Sequence, residues 1–344
     1  MNKFPIIIVG SGKAALLHLN AYLKLWGGCE LPMIYIIAGS TIEPDIIAFS
    51  KTYSSALHLI KFQQVEELAQ SNPIVDICTP TTTHGKVLKA LFNIGFKRFL
   101  IEKPAVTTYE DLEWIAEHDL RLEIMQNYLF SKATKRVIDM IHSQVIELKT
   151  IISIFCKNRT RDSIDRRGFD GNEPPHIFTI ELPHQIYLAN AFAGSARIVS
   201  TFAQNKRTKN SIFPNQDSGV IILEHSNKCQ NGSEFTASFH YSCLSSSKTI
   251  KCIILNCDAN KSVTVHYPIS KTHLTSTVTM TNENGCQHTE IFEDDDMMKE
   301  ALKHYLLVLS SDTPNSSIGK FESTRLIIDA ITKDCTKQLS SKKQ

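Results

Sequence analysis

The sequence predicts an α/β chain. A doubly wound parallel sheet occupies residues 1–125, a second α/β domain with a mostly antiparallel sheet occupies 126–335, and 336–344 are a frayed tail. Three observations carry this expectation. Up to about residue 120, short apolar runs alternate with amphipathic stretches, the pattern of parallel strands covered by helices on both faces. Beyond that, β-branched runs follow one another without intervening helices, which points to antiparallel or mixed pairing. The opening run IIIVGSGKAALLHLNAYL, residues 6–23, drives an apolar strand into Gly10 and Gly12 and directly into a helix pattern.

In the first domain the strands expected are Pro5–Val9, Met33–Ala38, Ile74–Cys78, Arg98–Ile101 and a closing Arg121–Gln126. Helices with apolar residues three and four apart are expected at Lys13–Leu25, Ile46–Thr52, Val65–Ser71, Gly85–Ile94 and Tyr109–Glu117. Right-handed crossovers between such strands make the sheet doubly wound. The second domain opens with a helix at Ser131–Ser143. Strands follow at Glu147–Phe155, Ala196–Ala203, Gly219–His225, Glu234–Ser242, Thr249–Asn256 and Ser262–Tyr267. A helix at Pro183–Ala193 stops at Gly194, and helical periodicity returns at Met297–Ser310 and Ser323–Lys333.

The turn after the first strand is a dinucleotide-binding turn. Gly10 permits the tight bend, Gly12 lets the backbone approach a pyrophosphate, and Ala15 allows close helix–strand packing. The N-terminal N–H groups of the helix would meet the phosphates, so Gly10, Ser11, Gly12, Lys13, Ala14 and Ala15 are cofactor candidates. An ordinary strand–helix turn is the plain alternative. At the end of a later buried strand, Thr79, Pro80 and Thr81 stand where doubly wound sheets bind ligands. The next strand ends in Glu102-Lys103-Pro104, which brings an ionisable pair to the same edge, with Lys103 biased to extended geometry by the proline.

Composition excludes other classes. With 344 residues and a hydrophobic fraction of 42%, the chain can fill two cores. A net charge of +2 without long single-sign blocks leaves no nucleic-acid footprint. The nine cysteines are never spaced Cys-x-x-Cys, so they read as reduced residues, and no metal site is expected. No secretory leader or apolar run of about 20 residues is seen, so the expectation is a cytoplasmic protein with no membrane partner.

Taken in order, Gly10-x-Gly12-x-x-Ala15-x-x-His18-x-x-Ala21, Thr79-Pro80 followed by His84, and Glu102-Lys103-Pro104 resemble the Gfo/Idh/MocA oxidoreductases. The resemblance implies an N-terminal Rossmann domain. It also implies a C-terminal α/β domain whose open sheet carries the substrate site and often an oligomer interface, hence a homo-oligomer. It further implies NAD(P)-dependent oxidation or reduction of a sugar, sugar derivative or cyclitol. By the same resemblance His84 and Glu102 join the cofactor set, and Lys103 lies by the nicotinamide ribose and the substrate oxygen, whose negative charge it stabilises. IELPHQIYLANAFAG places His184 at the family's acid/base position, where a neutral imidazole exchanges the hydroxyl proton. The family's Asp four residues earlier is replaced by Ile180, and Glu181 is the substitute expected to orient His184.

The second strand ends in IIAGSTIEP without an acidic residue for a ribose 2′-hydroxyl. Gly39, Ser40 and Thr41 stand there, and Ser40 and Thr41 can donate to a 2′-phosphate, so NADP is favoured over NAD. Arg159, Arg161, Arg166 and Arg167 suit capture of an anionic sugar, although Asp162 and Asp165 neutralise part of that loop. His176 is a further substrate-lining candidate, and the run Glu293–Asp296 reads as a capping feature of the helix that follows. Two other readings compete with a dehydrogenase. One is a non-catalytic NAD(P)-binding sensor or assembly protein, favoured by the missing Asp. The other is an NAD-assisted lyase or hydrolase, marked by turnover without net change in the nicotinamide.

Overall fold

The protein is described by a computed structural model covering residues 4–27, 29–39, 41–159, 176–204, 217–226, 235–269, 273–311 and 321–341. It divides into two compact units. Of the described residues, the first holds 4–125 and 298–311 and the second holds 126–159, 176–297 and 321–341.

The first unit is built on strands β1 (Ile6–Val9), β2 (Ile34–Ile37), β3 (Leu57–Ile60), β4 (Ile74–Ile77), β5 (Arg98–Ile101) and β6 (Arg121–Ile124). They pair in parallel in the order β3-β2-β1-β4-β5-β6. β1 and β4 are central and buried along their whole length, as a parallel strand covered on both faces must be. Helix α1 (Lys13–Leu25) buries Ala15, Leu16, His18, Leu19, Ala21 and Tyr22 along one face. Helices α2 (Pro44–Thr52), α3 (His84–Ile94) and α4 (Tyr109–Glu117) complete the crossovers, with Thr108 capping α4 through Asp111.

The second unit opens with α5 (Lys132–His142) and β7 (Leu148–Asn158), followed by α6 (Leu182–Ala193). Its sheet is completed by β8 (Ala196–Gln204), β9 (Ser218–Ser226), β10 (Phe235–Cys243), β11 (Ser245–Cys257), β12 (Ser262–His266), β13 (Ser276–Thr281) and β14 (Gln287–Phe292). The order is β14-β13-β12-β11-β7-β10-β9-β8, antiparallel except for the parallel pair β7–β10. Ile151, Phe155, Ile253 and Val265 pack with Leu188 and Phe192 of α6 in one core. Helix α7 (Met297–Ser310) falls from Met298 onward in the first unit, where the Arg121 guanidinium donates to the Ser311 carbonyl. The expected division had placed that stretch in the second domain.

Other elements also depart from the sequence expectation. Val65–Ser71 is a 3-10 segment, Glu66–Ser71, that ends at Asn72 in the left-handed region. The final helix α8 (Glu322–Ser341) runs past Lys333 into the tail expected to fray, with no Gly or Pro to stop it. β3, β13 and β14 were not anticipated.

Strand β10 inverts the usual alternation. Thr236, Ser238, His240 and Ser242 are buried, whereas Phe239 and Tyr241 are exposed. The buried polar row is joined into a chain that fixes its own hydrogen-bond directions. The Gly194 carbonyl can only accept, so His225 donates from Nδ1 (2.9 Å) and receives the Ser238 hydroxyl at Nε2 (2.7 Å). The Ser238 oxygen then accepts from His240 Nε2 (2.8 Å), and the Ser153 hydroxyl donates to His240 Nδ1 (2.6 Å).

This arrangement holds both imidazoles neutral. Burial lowers His225 below the ordinary histidine value, and burial together with His225 pushes His240 down to about 3. An unfolded histidine takes up a proton near pH 6.5 while the folded one does not. Stability is therefore intact above pH 6.5 and declines as the pH falls from there toward 3. The His240 share of the loss between pH 7 and pH 5 is about 2 kcal/mol. Denaturant unfolding at the two pH values should show a shallower dependence in His240→Gln; equal slopes would mean that His240 titrates normally.

Candidate active site

In the first unit, the turn after β1 is fixed by Gly10. Its φ is +112°, and a Cβ there would lie 3.0 Å from the Cys78 carbonyl oxygen, so backbone conformation and the approach of β4 both require glycine. Gly12 is different. It is extended, it immediately precedes α1, and a Cβ on it would meet nothing within 4 Å. Gly12 at the N-cap provides no side-chain cap, and a helix start that follows a glycine turn is an arrangement that suits a pyrophosphate. Ala15 is buried against the sheet, while Lys13 and Ala14 are half-buried.

Ser11 faces inward. Its hydroxyl accepts from the Gly39 N–H (3.0 Å) and donates to the Thr41 carbonyl (2.7 Å), tying the end of β2 to the glycine turn. Thr41 itself is exposed, and Ser40 lies outside the described residues. At the end of β4, Thr79, Pro80 and Thr81 are half-buried. His84, the first residue of α3, is buried with Nε2 2.9 Å from the Thr79 carbonyl and Nδ1 3.1 Å from the Pro104 carbonyl. Burial lowers its pKa although those carbonyls oppose the shift. It thus braces two loops, and any effect on a cofactor passes through them.

A buried polar cluster lies behind Glu102 and Lys103. Asp76, in the middle of β4, accepts from Tyr22 (2.9 Å) and from His18 Nδ1 (2.7 Å), and His18 Nε2 donates to Glu102 Oε1 (2.9 Å). Glu102 Oε2 in turn accepts the Lys103 backbone N–H (3.1 Å). Burial opposes charge on His18, but the Asp76 carboxylate outweighs it and raises the imidazole well above its ordinary value. Burial and Asp76 together push the Cys78 thiol up, so it stays protonated and adds no charge. Burial would raise Glu102, but the His18 hydrogen bond and charge, helped by Lys103, bring it below the usual carboxyl range. An imidazolium with both nitrogens donating therefore bridges two carboxylates.

In the second unit, Pro183 opens α6 and His184 lies in its first turn, 9% exposed. The Tyr187 hydroxyl is 2.9 Å from His184 Nδ1 and accepts the Tyr128 N–H (3.1 Å). The Tyr187 hydroxyl also lies 3.4 Å from Asn127 Oδ1, which can only accept, so its one proton serves either Asn127 or His184 Nδ1, and both neutral tautomers of His184 fit the contact. The Tyr128 ring packs 4.8 Å from that imidazole. Glu181 is buried, with Lys157 Nζ at 2.8 Å and Arg159 Nη1 at 3.9 Å from its Oε1. The orientation expected from Glu181 is met at Nδ1 by Tyr187, and Glu181 serves as counter-charge to Lys157.

His176 caps the short 3-10 turn Ile177–Thr179, its Nδ1 accepting the Phe178 N–H (3.2 Å) while Nε2 faces Asp334 (3.3 Å). Arg161, Arg166 and Arg167 lie outside the described residues. One residue of the acidic run serves the start of α5. Asp295 accepts from Ser131, Ser276 and the Lys132 N–H at the start of α5. Residues not singled out from sequence are Asp76, Tyr187, Lys157 and Lys251. The first was detectable as an acid inside the apolar run IVDIC, and the second as a tyrosine one turn after His184.

The parallel six-stranded sheet with its glycine turn at the start of α1 defines a dinucleotide-binding Rossmann domain. Residues 4–121 match the Gfo/Idh/MocA family, described as an oxidoreductase family with an NAD-binding Rossmann fold. The match covers the parallel-sheet part of the chain and is to an NAD-binding Rossmann domain. No curated protein sequence matches the chain. Among solved structures it is similar to a mutant 3-ketoreductase from Actinomadura kijaniata in complex with TDP-benzene and NADP, at 14% identity and TM-score 0.73 over 97% of this chain and 98% of that one. It is similar to UDP-N-acetylglucosamine 3-dehydrogenase from Acidithiobacillus ferrooxidans, at 14% identity and TM-score 0.70 over 96% and 97%. An oxidoreductase from Thermotoga maritima matches at 17% identity and TM-score 0.69 over 96% and 95%. At such identities the likeness is one of fold. Among the described residues, no helix is long and apolar enough to cross a membrane.

Proposed function

We propose that the protein is an NAD(P)-dependent dehydrogenase or reductase acting on a hydroxyl or carbonyl of a sugar, sugar derivative or cyclitol. The observation that supports this is the glycine turn that leads from β1 into α1 at the end of a parallel sheet, where no side chain hydrogen-bonds the helix start from Gly12 and a Cβ on Gly12 would meet no atom within 4 Å. The nicotinamide, when bound, supplies the hydride chemistry. Gly10–Ala15 hold its pyrophosphate, and Thr79–Thr81 and Glu102 border it. Lys103 stabilises negative charge on a substrate oxygen, and His184 exchanges a substrate proton. NADP is favoured because β2 leads into Gly39-Ser40-Thr41 without a carboxylate to repel a 2′-phosphate.

A panel of neutral and anionic sugars and inositols, followed at the nicotinamide absorbance with both cofactors, tests the reading. Gly12→Val is its control. Since a side chain there meets no protein atom, the variant should fold normally and lose NAD(P)H affinity. Unchanged affinity in the folded variant would place the dinucleotide elsewhere.

The sheet of the second unit supports a homo-oligomer. Phe202, Phe239, Tyr241 and Ile250 are exposed on one of its faces, where Tyr241 pairs through Val220 to Phe202. Sedimentation equilibrium reads this directly, and a monomer at micromolar concentration would remove it.

A further inference from the structure

Lys251 and Lys157 bring two ammonium groups to the His184 end of the second unit from neighbouring strands. Lys251 is in register with Phe155, and Lys157 lies two residues further along the same face of β7. The Lys251 ammonium donates to the Pro268 carbonyl (2.8 Å) and lies 5.5 Å from the centre of the Tyr128 ring, the same ring that packs against His184. Lys157 is paired with Glu181, which Arg159 also approaches. Among the described residues, the ionised groups acting on Lys251 are Lys157, which repels it, and Glu181, which attracts it. Burial, with the repulsion from Lys157, lowers Lys251 to about 8, so its charge is under-compensated. Tyr128 and Tyr267 do not supply the missing anion, because burial pushes both phenols above their ordinary value.

We infer that this end of the second unit is built for a substrate carrying an anionic group, a phosphate or a carboxylate, held by Lys251 and Lys157 beside His184. The inference rests on the redox reading only for calling the ligand a substrate. The chemistry is direct. Among the described residues, the one buried carboxylate Glu181 faces the two ammonium groups of Lys157 and Lys251, which leaves positive charge beside the Tyr128 ring that a second anion would balance. A neutral sugar gains nothing from Lys251. A sugar phosphate, a nucleotide sugar or a uronate gains a charge-assisted contact that also favours the ionised form of the lysine.

The test is the titration of Lys251 itself, read by competitive acetylation with acetic anhydride and peptide mass spectrometry across pH 6–11. In the full-length protein, the amine should titrate near pH 8 and move up by about one unit with millimolar glucose 6-phosphate, glucuronate or uridine diphosphate. Glucose should leave it in place, and Lys157→Met should lessen the upward move. A shift with the phosphates alone assigns a phosphate ligand, and one with glucuronate alone assigns a carboxylate. No shift with any anion, or an equal shift with glucose, would overturn the inference. The readout does not depend on hydride transfer. A shift without nicotinamide turnover leaves the anion site standing and removes the redox reading; turnover on neutral sugars without a shift does the reverse.

Discussion

Replacing His184 by Ala, or Lys103 by Met, lowers turnover by about two orders of magnitude or more while NAD(P)H affinity stays close to that of the unaltered protein. The reason differs for the two residues. In the proposed mechanism, loss of the imidazole removes the group that would exchange the substrate proton, and loss of the ammonium removes the charge that would stabilise a substrate oxygen. Steady-state kinetics on the best substrate of the panel, with cofactor affinity measured separately by fluorescence titration, checks both. Tyr187→Phe separates orientation from chemistry, because it keeps the ring and deletes the hydroxyl that holds Nδ1. It should lower kcat less than His184→Ala and displace the pH–rate profile. Full activity in His184→Ala would collapse the acid/base assignment and favour the sensor reading.

Replacing His18 by Leu should cost about 3–5 kcal/mol of stability, the largest loss expected from a single change outside the catalytic groups. The imidazole has Asp76 at 2.7 Å and Glu102 at 2.9 Å, with its own side chain wholly buried. Its removal strands carboxylates in an apolar setting, a larger penalty than losing the contacts alone. Adding Asp76→Asn should recover part of the loss, because one stranded charge disappears. The pH dependence has a definite sign. The folded imidazole binds its proton more tightly than the unfolded one, so its stabilisation is complete below about pH 6.5 and is lost as the pH rises toward the raised value. Urea unfolding of the wild type and the two variants at pH 6 and pH 9 checks this. A loss under 1 kcal/mol, or no recovery in the double variant, would show that His18 is not an imidazolium held between two carboxylates.

The central architecture was legible because it is written in continuous apolar runs. β1 and β4 are buried throughout, and the glycine turn and the start of α1 fall where the spacing puts them. The edges were not. β3 is the four-residue edge strand LHLI with Leu59 36% exposed; β14 has no fully buried residue, and in β13 the buried alternation falls on Ser276 and Val278 among threonines, so the sequence offers little apolar period of two. Strand β10 was found as a strand, yet its facing could not be read, because the serines and histidines on its inner face are satisfied by residues distant in sequence. The site divides similarly. Glu102, Lys103 and His184 announce themselves by motif, whereas Lys251 reaches the His184 end only through the pairing of β11 with β7.

The brace made by His84 has a mechanical consequence. One ring contacts the carbonyl oxygens of Thr79 and Pro104, so the loop that follows β4 and the turn that carries Lys103 share a single internal support. Neither can shift alone without stranding a buried acceptor or the imidazole itself. The neutral ring carries one N–H, so a displacement at Thr79 would change which of the two segments it donates to, and would be felt at the turn that carries Lys103.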